Sequence, residues 1–185
     1  MSFSYSARSR AIEPFHVMAL LQRANELQQQ GHDVIHLEIG EPDFTTAAPI
    51  IEAGRKALAD GHTGYTSALG LPALREAISQ YYQQRYSVEV APQRIVVTPG
   101  GSGALLLASA LLVDPGKHWL LADPGYPCNR HFLRLVEGGA QLVPVGPETN
   151  YQLTSELIER YWDADCVGAL VASPANPTGS VLSRE

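Results

Sequence analysis

From Arg94 onward, short apolar runs alternate with longer segments of helical period, and this alternation organises the second half of the chain. Ile95, Val96 and Val97 form a β-branched run; Pro99, Gly100 and Gly101 interrupt it, and an Ala/Leu-rich stretch follows as far as Leu112. The pattern predicts strand 94–98, helix 101–112, strand 118–122, helix 126–137, strand 141–145, helix 154–162 and strand 167–172. Strands alternating with helices of this length imply right-handed crossovers. The expected fold is therefore α/β, a mostly parallel sheet with helices on both faces. Ligands of such sheets bind outside the carboxyl ends of the strands.

Upstream the period is helical. Pro14–Gln30 places Phe15, Met18, Leu21, Ala24 and Leu27 on one face, with Pro14 suited to a first turn and Gly31 to a stop. This amphipathic helix precedes the main domain. Val34–Leu37 predicts a short strand that runs into Glu38–Phe44, a loop rich in turn formers and carboxylates. Ala48–Asp60 predicts a helix closed by Gly61, and Pro72–Tyr86 another with Leu74, Ala77, Ile78, Tyr81 and Tyr82 on its apolar side. Between them lies His62–Gly70, a small-residue segment on which Tyr65 is an aromatic with a polar tip.

Composition narrows the partners more than the fold. A hydrophobic content of 45% with 17% charged residues suits a globular core. The net charge is −6 and the 13 Lys+Arg are scattered, which argues against nucleic acid and towards a small-molecule ligand. Cys128 and Cys166 stand outside any CxxC spacing and are read as free thiols of a reducing compartment; the six His form no metal-ligand pattern. The first ten residues lack the apolar core of a signal peptide, and the apolar run Ala104–Val113 is too short to span a bilayer. The expectation is a cytoplasmic protein with no membrane contact.

Three loops leave the carboxyl ends of predicted strands: Pro99–Gly103, Asp123–Cys128 and Ser173–Gly179. The first opens a helix, where unpaired backbone N–H groups and the dipole favour an anion, phosphate above all. Gly101 and Gly103 let backbone approach closely, and the Ser102 hydroxyl adds a donor; the plainer alternative is a capped βα turn with Ser102 as the cap. Prolines constrain the other two loops, fixing Tyr126 on one and Asn176 on the other. A ring face and an amide that emerge beside an anion turn suit a planar, phosphorylated ligand.

Five ordered segments carry a resemblance: Leu37-Glu-Ile-Gly-Glu-Pro-Asp-Phe44, Gly64-Tyr-Thr-Ser-Ala-Leu-Gly-Leu-Pro-Ala-Leu-Arg75, Val97-Thr-Pro-Gly-Gly-Ser-Gly-Ala-Leu105, Asp123-Pro-Gly-Tyr-Pro127 and Ala175-Asn-Pro-Thr-Gly179. Together they resemble the class I/II aminotransferases of the fold type I, pyridoxal-phosphate-dependent superfamily. The resemblance implies that Gly101, Ser102 and Gly103 hold the phosphate of pyridoxal 5'-phosphate, that Tyr126 stacks on its ring, and that Asn176 hydrogen-bonds its phenolic oxygen. It further places Gly40 near the substrate carboxylate. Tyr65 is implied to reach the cofactor phosphate of a neighbouring subunit, and hence a homodimer. The substrates would be an α-amino acid and a 2-oxo acid.

The two lysines, Lys56 and Lys117, sit in nothing like the family's Schiff-base motif, so the chain is expected to be the N-terminal part of such an enzyme and inactive alone. The implied division is an N-terminal helix and substrate-side loop over residues 1–46, then an incomplete cofactor-binding large domain over 47–185. Two alternatives stand beside this reading. One is a non-catalytic, truncated remnant; the other is a dinucleotide-binding domain, in which Asp123 would follow the glycine turn, although Leu106 occupies the third glycine position.

Overall fold

The structure, a computed structural model, describes residues 3–183. Along them run α1 (Ala7–Ala11), α2 (His16–Gln29), α3 (Ala48–Ala59), α4 (Pro72–Tyr86), α5 (Gly100–Leu112), β1 (His118–Asp123), α6 (Cys128–Leu135), β2 (Gly139–Pro144), α7 (Ser155–Tyr161) and β3 (Cys166–Leu170). The chain divides into two compact units. One unites the residues up to Ala19 with those from Gly101 onward, and the other spans Leu20–Gly100.

The first unit is built around β1, which lies between β2 and β3 and is parallel to both, in the order β2-β1-β3. Its Trp119, Leu120 and Leu121 are all buried. Successive side chains of a strand point to opposite faces, so a central strand covered on both sides must be apolar on both. Leu120 joins Val143, Val145, Leu153 and Cys166 in one core, against which Leu157, Ile158 and Tyr161 of α7 pack. Trp119 and Leu121 join Val113 and Leu133 in a second core, towards α5 and α6. The α/β architecture expected from the alternating pattern is thus present, as a three-stranded parallel sheet with helices on both faces.

The second unit is helical and irregular. α3 and α4 both begin with proline in the first turn, where a missing N–H costs nothing, and α4 ends at Ser87 in the left-handed region (φ 56°). Gly70 (φ +94°) lies so close to Val97 that a Cβ there would stand 2.6 Å from Val97 Cγ2, which makes glycine obligatory at that point.

Two predicted strands are absent. Val34–Leu37 is irregular, with Ile35 and Leu37 exposed. Strand 94–98 is replaced by a 3-10 turn at Pro92–Arg94, after which the Val97 N–H bonds the Leu69 carbonyl at 3.1 Å. A β-branched run becomes a strand only when a ladder forms beside it, and a single lateral bond is not a ladder. α1 was not expected; it is nucleated by Ser6, whose side chain accepts from the Ser9 N–H at 3.2 Å. α6 begins at Cys128 rather than at 126, after Pro127, whose ring leaves it no N–H to donate.

Candidate functional site

The loops that follow β1 and β3 open on one cavity of about 250 Å³ at the carboxyl end of the sheet. Tyr126, Arg130, Asn176, Gln152 and Asp123 contribute its polar wall, with Leu121, Leu153 and Leu170 beneath. Two residues singled out from the sequence, Tyr126 and Asn176, therefore share one cavity although they lie on separate loops.

Tyr126 is held by its backbone and by a neighbouring ring. A Cβ on Gly125 would collide with the Ala122 carbonyl, so the tight Asp123–Pro127 turn requires glycine there. The Tyr126 carbonyl accepts the Asn129 N–H at 3.2 Å and starts α6, while the Phe15 ring meets Tyr126 edge to face, with centroids 6.3 Å apart and planes at 76°. The Cys128 thiol bonds the phenol and, with partial burial, raises its pKa above the ordinary 10.0. The ring accordingly presents a neutral face at physiological pH.

Asn176 sits on a loop closed on itself: Ala175 N donates to the Ser180 carbonyl and Gly179 N to the Ala175 carbonyl, both at 2.8 Å. Arg130, in the first turn of α6, lines the same cavity and lies 3.8 Å from the Glu13 carboxylate. Sequence reasoning passed over both Arg130 and Gln152. Nothing in the local sequence marked Gln152.

Gly101, Ser102 and Gly103 form the first turn of the 13-residue α5 and do not line this cavity. Gly100 (φ +73°) turns the chain into the helix, its N–H bonding the Thr98 carbonyl at 2.7 Å while the Thr98 hydroxyl donates to the Gly100 carbonyl at 2.8 Å. A Cβ on Gly101 would meet nothing within 4 Å, so the approach to this helix start is open. The turn and helix match the sequence reading, but the strand expected before them is missing, and with it the strand–turn–helix unit on which the dinucleotide alternative depends.

Tyr65 and Gly40 belong to the other unit. Tyr65 is fully exposed on the irregular segment between α3 and α4, and Gly40 has open space where a Cβ would stand. Beside Gly40, His36 Nδ1 lies 2.6 Å from Glu38 Oε1, and this hydrogen bond lowers the Glu38 pKa. Neither lysine lines the cavity. Lys56 pairs with Asp60 at 2.6 Å on α3, and Lys117 with Asp165 at 2.8 Å beside the amino end of β1, which raises the lysine pKa.

The sequence profile described as Aminotransferase class I and II matches residues 32–185. The (5-formylfuran-3-yl)methyl phosphate transaminase of Methanocaldococcus jannaschii is 39% identical over 180 residues, 97% of this chain and 46% of that protein. The valine–pyruvate aminotransferase of Mycobacterium tuberculosis is 38% identical over 174 residues, 94% of this chain and 45% of that protein. In structure, an aminotransferase from Mycobacterium tuberculosis superposes with a TM-score of 0.93 at 37% identity, covering 99% of this chain and 47% of the other. The chain spans about half the length of the curated relatives it matches. With a profile that takes in most of its length and a fold shared almost end to end, the chain belongs to the class I and II aminotransferase family.

Proposed function

We propose that the chain supplies the phosphate turn and the ring-facing residues of a pyridoxal 5'-phosphate-dependent aminotransferase that moves an amino group between an α-amino acid and a 2-oxo acid. One observation carries the reading: Tyr126 and Asn176, on loops about 50 residues apart in sequence, meet on the wall of one cavity at the carboxyl end of the sheet. The residues present fit the cofactor chemically. Tyr126 offers a neutral aromatic face for the pyridine ring, Asn176 an amide N–H for its phenolic oxygen, and Gly101–Gly103 a helix start, open at Gly101, for its phosphate. When bound, the cofactor supplies the electron sink for amino-group transfer.

Gly40 would lie by the substrate carboxylate and Tyr65 would bond the phosphate held by a second copy, so the working assembly in this reading is a cytoplasmic homodimer. Residues 1–46 would form the substrate-side segment and 47–185 part of the cofactor-binding domain. Lys56 and Lys117 are both spent on surface carboxylates, so in this reading the lysine that anchors the cofactor covalently is not one of them.

Titration with pyridoxal 5'-phosphate followed by borohydride and peptide mass spectrometry tests this. Saturable, non-covalent binding with Lys56 and Lys117 unmodified is expected. A stoichiometric adduct on either lysine, or no saturable binding, contradicts it.

A further inference from the structure

The loop that carries Asn176 is gripped by a buried side chain that lines the same cavity. Gln152 follows a 3-10 turn at Pro147–Thr149 and is only 6% exposed, which an amide tolerates when its polar atoms find partners. Its Nε2 donates to the Ala172 carbonyl at 3.2 Å, the Ser180 carbonyl at 3.0 Å and Ser180 Oγ at 3.1 Å. With two hydrogens for three acceptors, one bond serves Ala172 and the other is shared between the oxygens of Ser180. Ala172 and Ser180 flank the Ser173–Gly179 loop, so a single side chain ties its two ends together.

The loop's internal bonding runs through the same oxygen. The Ser180 carbonyl also accepts from Ala175 N at 2.8 Å, the residue next to Asn176. Asn150 adds a second tie, its Nδ2 donating to the Val181 carbonyl at 3.2 Å. A loop residue contributes fully to binding only when its conformation is fixed in advance; otherwise the ligand must bear the entropy of ordering it.

We propose that Gln152 is a positioning residue whose buried amide clamps the ends of the Ser173–Gly179 loop and so holds Asn176 on the cavity wall it shares with Tyr126. Its consequence for the cofactor rests on the function proposed above, whereas the clamp itself does not.

The test uses the whole 185-residue chain and compares wild type with Gln152→Leu and Gln152→Glu. Amide hydrogen exchange needs no ligand. Protection at Ala175 and Gly179 should fall about tenfold or more in both variants while Leu120 and Leu121 of β1 keep theirs. In Gln152→Glu it should recover at acidic pH, because a protonated carboxyl regains one donor; a packing defect would not respond to pH in this way. Unchanged protection at Ala175 and Gly179, or no recovery at acidic pH, overturns the clamp. If the β1 amides of Gln152→Leu also lose protection, Ser180→Ala decides instead: it deletes one of the three acceptors and should lower loop protection about threefold, and no change overturns the proposal.

In the ligand arm, Gln152→Leu should weaken pyridoxal 5'-phosphate binding about tenfold, with no further loss when Asn176→Ala is added. Additive losses, or loop protection lost with affinity intact, overturn the positioning role. A wild type that binds no cofactor contradicts the proposed function, and the exchange arm then decides the clamp by itself.

Discussion

The two ends of the sheet are built from different chemistry. At the carboxyl end, β1 and β3 run into turns of proline, glycine and small residues, and an aromatic and two neutral amides line a cavity there together with Asp123 and Arg130. At the amino end the same strands begin among charges: Lys117 pairs with Asp165 at 2.8 Å, His118 Nε2 lies 3.4 Å from Asp163 Oδ1, and that Asp163 oxygen accepts from the N–H groups of Asp165 and Cys166. At this end the charges are paired with one another. The carboxyl end instead brings a tyrosine and an asparagine to the wall of a cavity. Parallel strands produce this polarity, because every crossover returns the chain to the same end before the next strand.

Removing what the two ends share should have the largest effect. Leu120 is fully buried in the middle of β1, and Leu120→Ala should cost about 2–5 kcal/mol of stability, visible as a lower urea midpoint, and should disrupt both ends together. A loss confined to cofactor binding would show that the ends are not coupled through the strand.

A mutation at the carboxyl end should separate binding from stability. Tyr126→Ala should weaken pyridoxal 5'-phosphate binding by about 1–2 kcal/mol, roughly tenfold, while Tyr126→Phe, which keeps the ring face, should retain most of the affinity. Equal losses in both variants would move the credit from the ring to the hydroxyl.

At the amino end the effect should be smallest and should depend on pH. The Lys117 hydrogen bond holds the Asp165 pKa below its ordinary 3.8, so the pair stabilises the fold above that value and the contribution is lost as pH falls through the lower, folded value. The lysine shift has the opposite sense: its contribution is present below the ordinary 10.5 and is lost as pH rises through the raised folded value. Both groups face solvent, so Lys117→Met should lower the melting temperature only slightly at neutral pH, with no difference from wild type in strong acid and unchanged cofactor affinity. A change in affinity would erase the distinction between the ends.

Much of this contrast was legible in the sequence. The three strands lie within two residues of where the apolar runs placed their starts and ends, because a strand buried on both faces leaves an unbroken apolar signature. The turns that carry Tyr126 and Asn176 were equally plain, since proline and glycine restrict the backbone whatever surrounds them. Ile95–Val97 misled because β-propensity describes a residue's fit to a neighbouring strand, and a short sequence window cannot reveal whether that neighbour exists. Gln152 and Arg130 were missed for a related reason. Gln152 gains its role from Ala172 and Ser180, 20 and 28 positions away, and that distance is bridged only by the fold.

The placement of β1 also bears on how the chain comes into being. It belongs to both ladders and both cores, so on a ribosome its outer edge stays open after β2 has paired and until the residues of β3 have emerged. During that interval a row of free N–H and C=O groups on an apolar strand is available to any other extended chain. The residue run that later centres the sheet is therefore, for the length of one crossover, open to mispairing in the nascent protein.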